Sequence, residues 1–321
     1  MSLSNQDSTN NIETAGFTVP SRKIGFTVMS IIIVFVALWM SRQGSQSIVT
    51  DSREAATIEI PGFNNDAWNL PDDDLLGFVE IPAGEFTMGS NPALDRLAYE
   101  NERWSNLQRQ GSVTLPAFYI SRYETTVSQF QQFVEETGSN ITPEAIQSDL
   151  SAPVSNINWP EAVAYAQWLD EKLRSSPLTP PPLKDLLDSG ASVTLPTEAE
   201  WEKAARSNDG RVFPWGSQLT SEFANFDGGQ KRNVGAVMCA GCAYGLADMA
   251  GNVWEMTRSP LQDYPYDPED DDTNLAEDAL WVMRGGSYAD SLNNIRTAVR
   301  GAVDPGVRND TIGFRVVIST R

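Results

Sequence analysis

Histidine is absent from all 321 residues. Without imidazole there is no Ser-His-Asp or Cys-His nucleophile pair, no His-ligated zinc or iron, and no histidine general base. Cysteine is scarce, with two residues in the chain. Positive charge is scarce as well: 23 basic residues stand against 43 acidic ones, a net charge of −20. That balance argues against nucleic acid as a partner, because phosphate binding is driven by Lys and Arg releasing counterions, and it suits hard cations or open water instead. Apolar residues are not lacking. At 40% hydrophobic with nine tryptophans, the chain can bury a proper core, and its length allows one large or two ordinary domains.

The residues between Lys23 and Arg42 carry no charge, and Ile24 to Met40 reads as unbroken apolar or small residues. As a helix, 24–41 would span about 27 Å, close to the roughly 30 Å of bilayer hydrocarbon. Trp39 stands where an interfacial aromatic belongs. A cleaved signal peptide is the rival reading. A polar tail (1–23) precedes the run, the run exceeds the usual apolar region of a signal, and no A-x-A-like site follows Met40. A single transmembrane helix is therefore expected. Asp7, Glu13, Arg22 and Lys23 cancel, so the whole −20 lies beyond this segment. The expectation is an N-terminus inside and an acidic domain outside the cytoplasm, periplasmic in a Gram-negative cell.

Residues 42–75, rich in Ser, Gln, Asn and Asp, read as a spacer, and 76–321 as the globular part. Three helix starts follow from capping chemistry. Thr126-x-x-Gln129, Asn158-x-x-Glu161 and Thr197-x-x-Glu200 each pair an N-cap oxygen with a side chain that can reach back to the cap N–H. Each precedes an apolar stripe: Val127, Phe130 and Val134, ended by Gly138; Ala162, Ala166, Leu169 and Leu173; Trp201, Ala204 and Ala205. After Arg206 the sequence is short strand-like or irregular, which predicts an α+β arrangement rather than alternating βαβ units. The tryptophans of these segments, Trp159, Trp168, Trp201, Trp215, Trp254 and Trp281, are expected to pack in the core. Asp263 to Asp278 holds eight acidic residues and no basic one, and is expected to be a solvated, mobile insertion, with a calcium-ordered or basic-partner loop as the alternative.

Eight segments then stand in a recognisable order. Phe78-Val79-Glu80-Ile81-Pro82-Ala83-Gly84-Glu85-Phe86-Thr87-Met88-Gly89 opens the domain, followed by Tyr123-Glu124-Thr125-Thr126 and Pro153-Val154-Ser155-Asn156-Ile157-Asn158-Trp159. Leu195-Pro196-Thr197-Glu198-Ala199-Glu200-Trp201-Glu202, Phe213-Pro214-Trp215-Gly216 and Tyr244-Gly245-Leu246-Ala247-Asp248-Met249-Ala250-Gly251-Asn252-Val253-Trp254-Glu255 come next. Arg284-Gly285-Gly286-Ser287-Tyr288 and Gly313-Phe314-Arg315 close it. The set resembles the formylglycine-generating enzyme (sulfatase-modifying factor) family. The resemblance implies a C-type-lectin-like α+β domain with little regular secondary structure. It also implies structural calcium, held at one site by Asp248 and Glu255 side chains with backbone oxygens of Gly251 and Val253, and at another by Asn225 and Phe226. Two carboxylates and several carbonyls in a Gly-containing loop are what a hard cation needs.

The match fails where the family's oxidases keep a copper-binding cysteine pair. Counting from Ser287, those positions are Asp290 and Ile295, and registering back from Arg296 moves the second to Leu292; no cysteine follows Cys242. Cu(I) needs thiolates or thioethers, so no copper is expected. The iron-dependent branch depends on histidine, so no iron is expected either. Cys239-Ala240-Gly241-Cys242 remains open as a thiol redox pair, half a metal site or a local disulfide, with Cu(I) held by both cysteines and Met238 as the sharpest alternative. It is not a haem attachment site, since Ala243 stands where histidine would be needed. The resulting expectation is a membrane-anchored protein whose domain serves binding or another non-oxidase role at the cell envelope. A protein, peptide or glycan would lie in a groove lined by Ser287, Tyr288, Asp290, Trp254 and Arg296. The alternative is an oxidoreductase of the same family acting on a protein cysteine through an altered site.

Overall fold

All three capping boxes form. In the computed structural model, which describes residues 60–272 and 279–320, Thr126 Oγ1 accepts from Gln129 N while Gln129 Oε1 accepts from Thr126 N, starting α1 (Val127–Thr137). Asn158 and Glu161 do the same for α2 (Trp159–Ser175). A further helix, α3 (Pro181–Asp188), has Pro residues in its first turn, where no N–H partner is needed, and was not expected. Thr197 and Glu200 start α4 (Glu198–Arg206). Gly138 ends α1 in the left-handed conformation at φ 69°.

The strands are short: β1 (Phe63–Asn64), β2 (Leu70–Pro71), β3 (Phe78–Ile81), β4 (Gly84–Met88), β5 (Gly111–Leu115), β6 (Phe118–Ser121), β7 (Ser192–Thr194), β8 (Trp254–Pro260), β9 (Trp281–Arg284), β10 (Gly301–Val303), β11 (Ile312–Gly313) and β12 (Val317–Ser319). One four-stranded sheet runs β3-β6-β12-β7, a second β10-β9-β8-β11, and β4-β5 and β1-β2 form separate pairs. A mixed α+β fold with long irregular connections results, as expected. The largest apolar cluster joins α1 and α2, through Phe130, Phe133, Tyr165 and Leu169, to Phe314 and Ile318. A second packs Trp201, Ala204 and Ala205 of α4 against Phe86, Phe118 and Val317. The stripe on α1 is carried by Phe133 more than by the expected Val134, which is half-buried.

Two sequence expectations need correction. Residues 60–75 are no spacer: Ala67, Trp68 and Leu70 are buried in the main cluster. The Asp-rich stretch there is turn chemistry, with Asp73 Oδ1 accepting from the N–H groups of Leu75 and Gly77. In the described start of the acidic segment Asp263, Asp267 and Glu269 are exposed, as expected, but two tyrosines turn inward. Tyr264 lies 4.1 Å beneath the Arg300 guanidinium and Tyr266 donates to Asp271. The expected transmembrane segment, 24–41, lies outside the described residues, and no helix among those described is long and apolar enough to cross a membrane.

Candidate functional site

Every ionisable residue of α4 is buried. Glu198 accepts from Arg300 Nε and Nη2 at 2.6 and 2.8 Å and from Arg284 Nη1 at 3.2 Å. Glu202 accepts from Arg206 and the Gly89 N–H at 2.8 and 2.9 Å, and from Arg284. Lys203 donates to the carbonyls of Pro82 and Gly84, and burial lowers its pKa. Glu198 and Glu202 are thus matched by guanidinium side chains, and Lys203 by backbone carbonyls, as burial requires.

Across β8 the balance differs. Glu255 is fully buried and gives both oxygens to Arg315 at 2.6 and 2.7 Å, with Trp201 Nε1 adding a third bond at 2.7 Å. Glu124 accepts from Asn252 Nδ2 and Val253 N, and Asp248 Oδ2 from Gly235 N at 2.6 Å. Three carboxylates thus interact with one guanidinium. Burial first, then repulsion from Asp248 and Glu255, pushes the Glu124 carboxyl well above the usual carboxylate range. Burial and Glu255 push Asp248 up to about 6. Gly251 is needed as glycine, because at φ 79° a Cβ would stand 2.2 Å from Asn225 O.

The expected calcium ligands divide on this geometry. Asp248 lies in the carboxylate-rich group, where its Oδ2 accepts from Gly235 N. Glu255 does not fit as a ligand, because Arg315 and Trp201 already hold both of its oxygens. The Asn225 carbonyl is bound by Asn252 N, and Asn225 Nδ2 donates to Asn252 Oδ1 and Gln230 O. Phe226 packs half-buried against a small apolar cluster of Phe213, Ala224, Ala250 and Ile295. Among the described residues no group of three His, Cys, Asp or Glu side chains is arranged to hold a metal ion.

The loop after β9 holds Asp290, Leu292 and Ile295, the positions expected to match the copper cysteines. Asp290 is fixed by four donors: Ser287 N, Ser287 Oγ and Trp254 Nε1 on Oδ2 at 3.0, 2.6 and 2.9 Å, and Asn294 Nδ2 on Oδ1 at 2.8 Å. Ile295 has no exposed surface and packs with Phe213, Ala224 and Ala250, with Leu292 half-buried at the edge. Gly286 permits this folding back, since a Cβ there would meet Asn294 O at 2.7 Å. Trp254 and Tyr288 are half-buried, and Ser287 is buried.

Arg296 is not a groove residue. It is fully buried and pairs with Glu102 and Asp95 at 2.6 Å each. A guanidinium in a segment read as irregular loop passes for a surface group until its acidic partners, about 200 positions away, are brought to it. Cys239 and Cys242 are joined as a disulfide, with Cα atoms 5.3 Å apart, so neither is a free thiol or a Cu(I) ligand, and the Met238 beside them is exposed. Glu124, Asn252 and Arg315 were not singled out by sequence reasoning. The segments Tyr123-Glu124-Thr125-Thr126 and Gly313-Phe314-Arg315 were the available signal.

A family model described as sulfatase-modifying factor enzyme 1-like domain matches residues 67–320. Hercynine oxygenase from Mycolicibacterium smegmatis is 28% identical over 74% of this chain and 60% of its own length, so the chain spans only part of that protein. Formylglycine-generating enzyme from Thermomonospora curvata is 29% identical over 80% of this chain and 98% of that one. The solved structure of PvdO from Pseudomonas aeruginosa covers 75% of this chain and 94% of its own with TM-score 0.61 at 24% identity, a likeness of fold. With the matched span enclosing the α-helices, both larger sheets and the Asp290 loop, the chain belongs to the sulfatase-modifying factor, or formylglycine-generating enzyme-like, family.

Proposed function

We propose that this protein uses the family scaffold for binding rather than for cysteine oxidation, as an envelope protein anchored through residues 24–41 with its domain outside the cytoplasm. The observation that carries the reading is the state of the two cysteine-equivalent positions. A carboxylate saturated by four hydrogen bonds and an isoleucine sealed in an apolar cluster cannot present two thiolates to a soft metal. What stays open beside them is a half-buried surface of Trp254 and Tyr288, suited to a peptide or glycan. Calcium, in this reading, is a structural ion served by Asp248 and nearby backbone oxygens, with Glu255 acting through Arg315 instead.

The test is to incubate the purified full-length protein with a sulfatase-motif peptide, copper and oxygen and to look for aldehyde by mass spectrometry. No aldehyde is expected. Its formation would overturn the binding reading in favour of an altered-site oxidoreductase.

A further inference from the structure

Beside Tyr288, four donors from three separate segments converge on one carboxylate. Ser155 Oγ, Asn156 Nδ2 and Lys231 Nζ reach Asp310 Oδ1 at 2.9, 3.3 and 3.0 Å, and Tyr288 Oη donates to Oδ2 at 3.1 Å. Lys231 also donates to Ser155 Oγ, so cation and hydroxyl act as one unit. The donors belong to the body of the domain: the Lys231 side chain is 8% exposed and Ser155 is buried. The acceptor belongs to the surface, with the Asp310 side chain 51% exposed.

Donors and acceptor are each held by main-chain bonds that do not involve the Asp310 side chain. The turn that carries Asp310 is tied down by its backbone, through Asn156 N to Asn309 O, Ile312 N to Asn309 O, and Trp254 N to Thr311 O. The donors are positioned by Val154 N to Thr125 O, Arg232 N to Asn252 Oδ1, and Tyr288 N to Asn252 O. The Asp310 side chain can therefore swing out without either wall losing its main-chain support. Four convergent donors, one of them a buried ammonium, exceed what a half-exposed surface turn requires.

We propose that this cradle is a carboxylate-recognition site and that Asp310 is its resident occupant, displaced when a ligand brings a carboxylate of its own. The inference rests on the binding reading above and names the ligand chemistry at the Tyr288 end of that surface. A monoanion neutralises Lys231, whereas a dianion such as phosphate would leave surplus negative charge in a chain already at −20. Asp310 competes as a tethered group, at an effective concentration of order millimolar or above, so a bound ligand must offer contacts beyond its acid.

The probe is N-acetylglycine, with the uncharged N-acetylglycinamide as control, titrated calorimetrically into full-length protein. Asp310→Ala is expected to bind the acid at least about tenfold tighter than the unsubstituted protein and to ignore the amide, and adding Lys231→Met to that variant is expected to abolish binding. Equal affinity of Asp310→Ala and the unsubstituted protein, or equal binding of acid and amide, would overturn the proposal. Should Asp310→Ala not fold, Asp310→Asn decides: it keeps the shape and loses the charge, and an acid affinity no better than that of the unsubstituted protein would be equally fatal. These outcomes are read without oxidation chemistry. Aldehyde formation would strike the binding reading alone, and failed titrations would strike the cradle alone.

Discussion

Two buried acidic groups flank β8, and they are solved in opposite ways. On the α4 side, Glu198 and Glu202 meet Arg206, Arg284 and Arg300, and each carboxylate has a guanidinium to itself besides a shared one. On the other side, Glu124, Asp248 and Glu255 share the field of Arg315 alone, and the Glu124 and Asp248 carboxyls are pushed above their usual range. The first arrangement is closed in that each carboxylate is met by two guanidiniums, three cations standing against two anions, with only Arg206 Nε and Arg284 Nε among the buried atoms of these side chains left without a hydrogen-bond partner. The second is incomplete by charge, with three carboxylates facing one guanidinium. Burial is offset by paired charge on one side and by raised carboxyl pKa values on the other.

The largest effect should come from removing the one cation of the incomplete group. Arg315→Met would leave three buried carboxylates uncompensated, a loss of about 5 kcal/mol, comparable with the total stability of many domains. The expected outcome is a protein that cannot be recovered folded in chemical-denaturation experiments. Arg284→Met, on the closed side, leaves Glu198 with Arg300 and Glu202 with Arg206, and should cost about 3 kcal/mol, with a clear cooperative transition remaining. Equal losses in the two variants would mean that the distinction drawn here has no energetic content.

Much of this frame was legible in the sequence because its signals are local. Thr126, Asn158 and Thr197 start helices through contacts three residues away, and the eight motifs fix their own turns. What escaped depends on partners far apart in the chain. Arg296 read as a groove residue because nothing near it hints at Glu102 and Asp95. Glu255 read as a calcium ligand because its pairing with Arg315 spans 60 positions. Residues 60–75 read as a spacer because turn-forming Asp, Asn, Gly and Pro outnumber the apolar residues, and burial of Trp68 and Leu70 is a tertiary fact. Lys231 and Asp310, 79 positions apart, gave no signal at all.

Calcium removal probes the incomplete group more gently. If Asp248 serves a bound ion, chelation should lower stability by about 2–3 kcal/mol at calcium roughly a hundredfold above its dissociation constant, read as a drop in Tm on adding EGTA. Asp248→Asn should melt at one temperature with or without calcium. An EGTA-treated protein that melts with the calcium-loaded one would show that the surplus charge is carried by protons on Glu124 and Asp248 instead.

The smallest effect tests the border of the closed group, where Asp271 takes a bond from Tyr266 near Glu200 and Arg258. Burial, aided by repulsion from Glu200, pushes its carboxyl up to about 6, above the unfolded value near 3.9. A raised carboxyl pKa favours the folded state most when the group is protonated, below the unfolded value, and that contribution is lost as pH rises through about 6. Asp271→Asn keeps an acceptor for the Tyr266 hydroxyl and removes the titration. The variant should therefore match the unsubstituted protein near pH 4 and exceed it by about 1–2 kcal/mol at pH 7.5, after allowance for partial solvent exposure. Urea denaturation across that range is the measurement. A variant less stable at pH 7.5 would place Asp271 among the compensated carboxylates, paired by Arg258, and move the boundary of the closed group outward to the acidic segment.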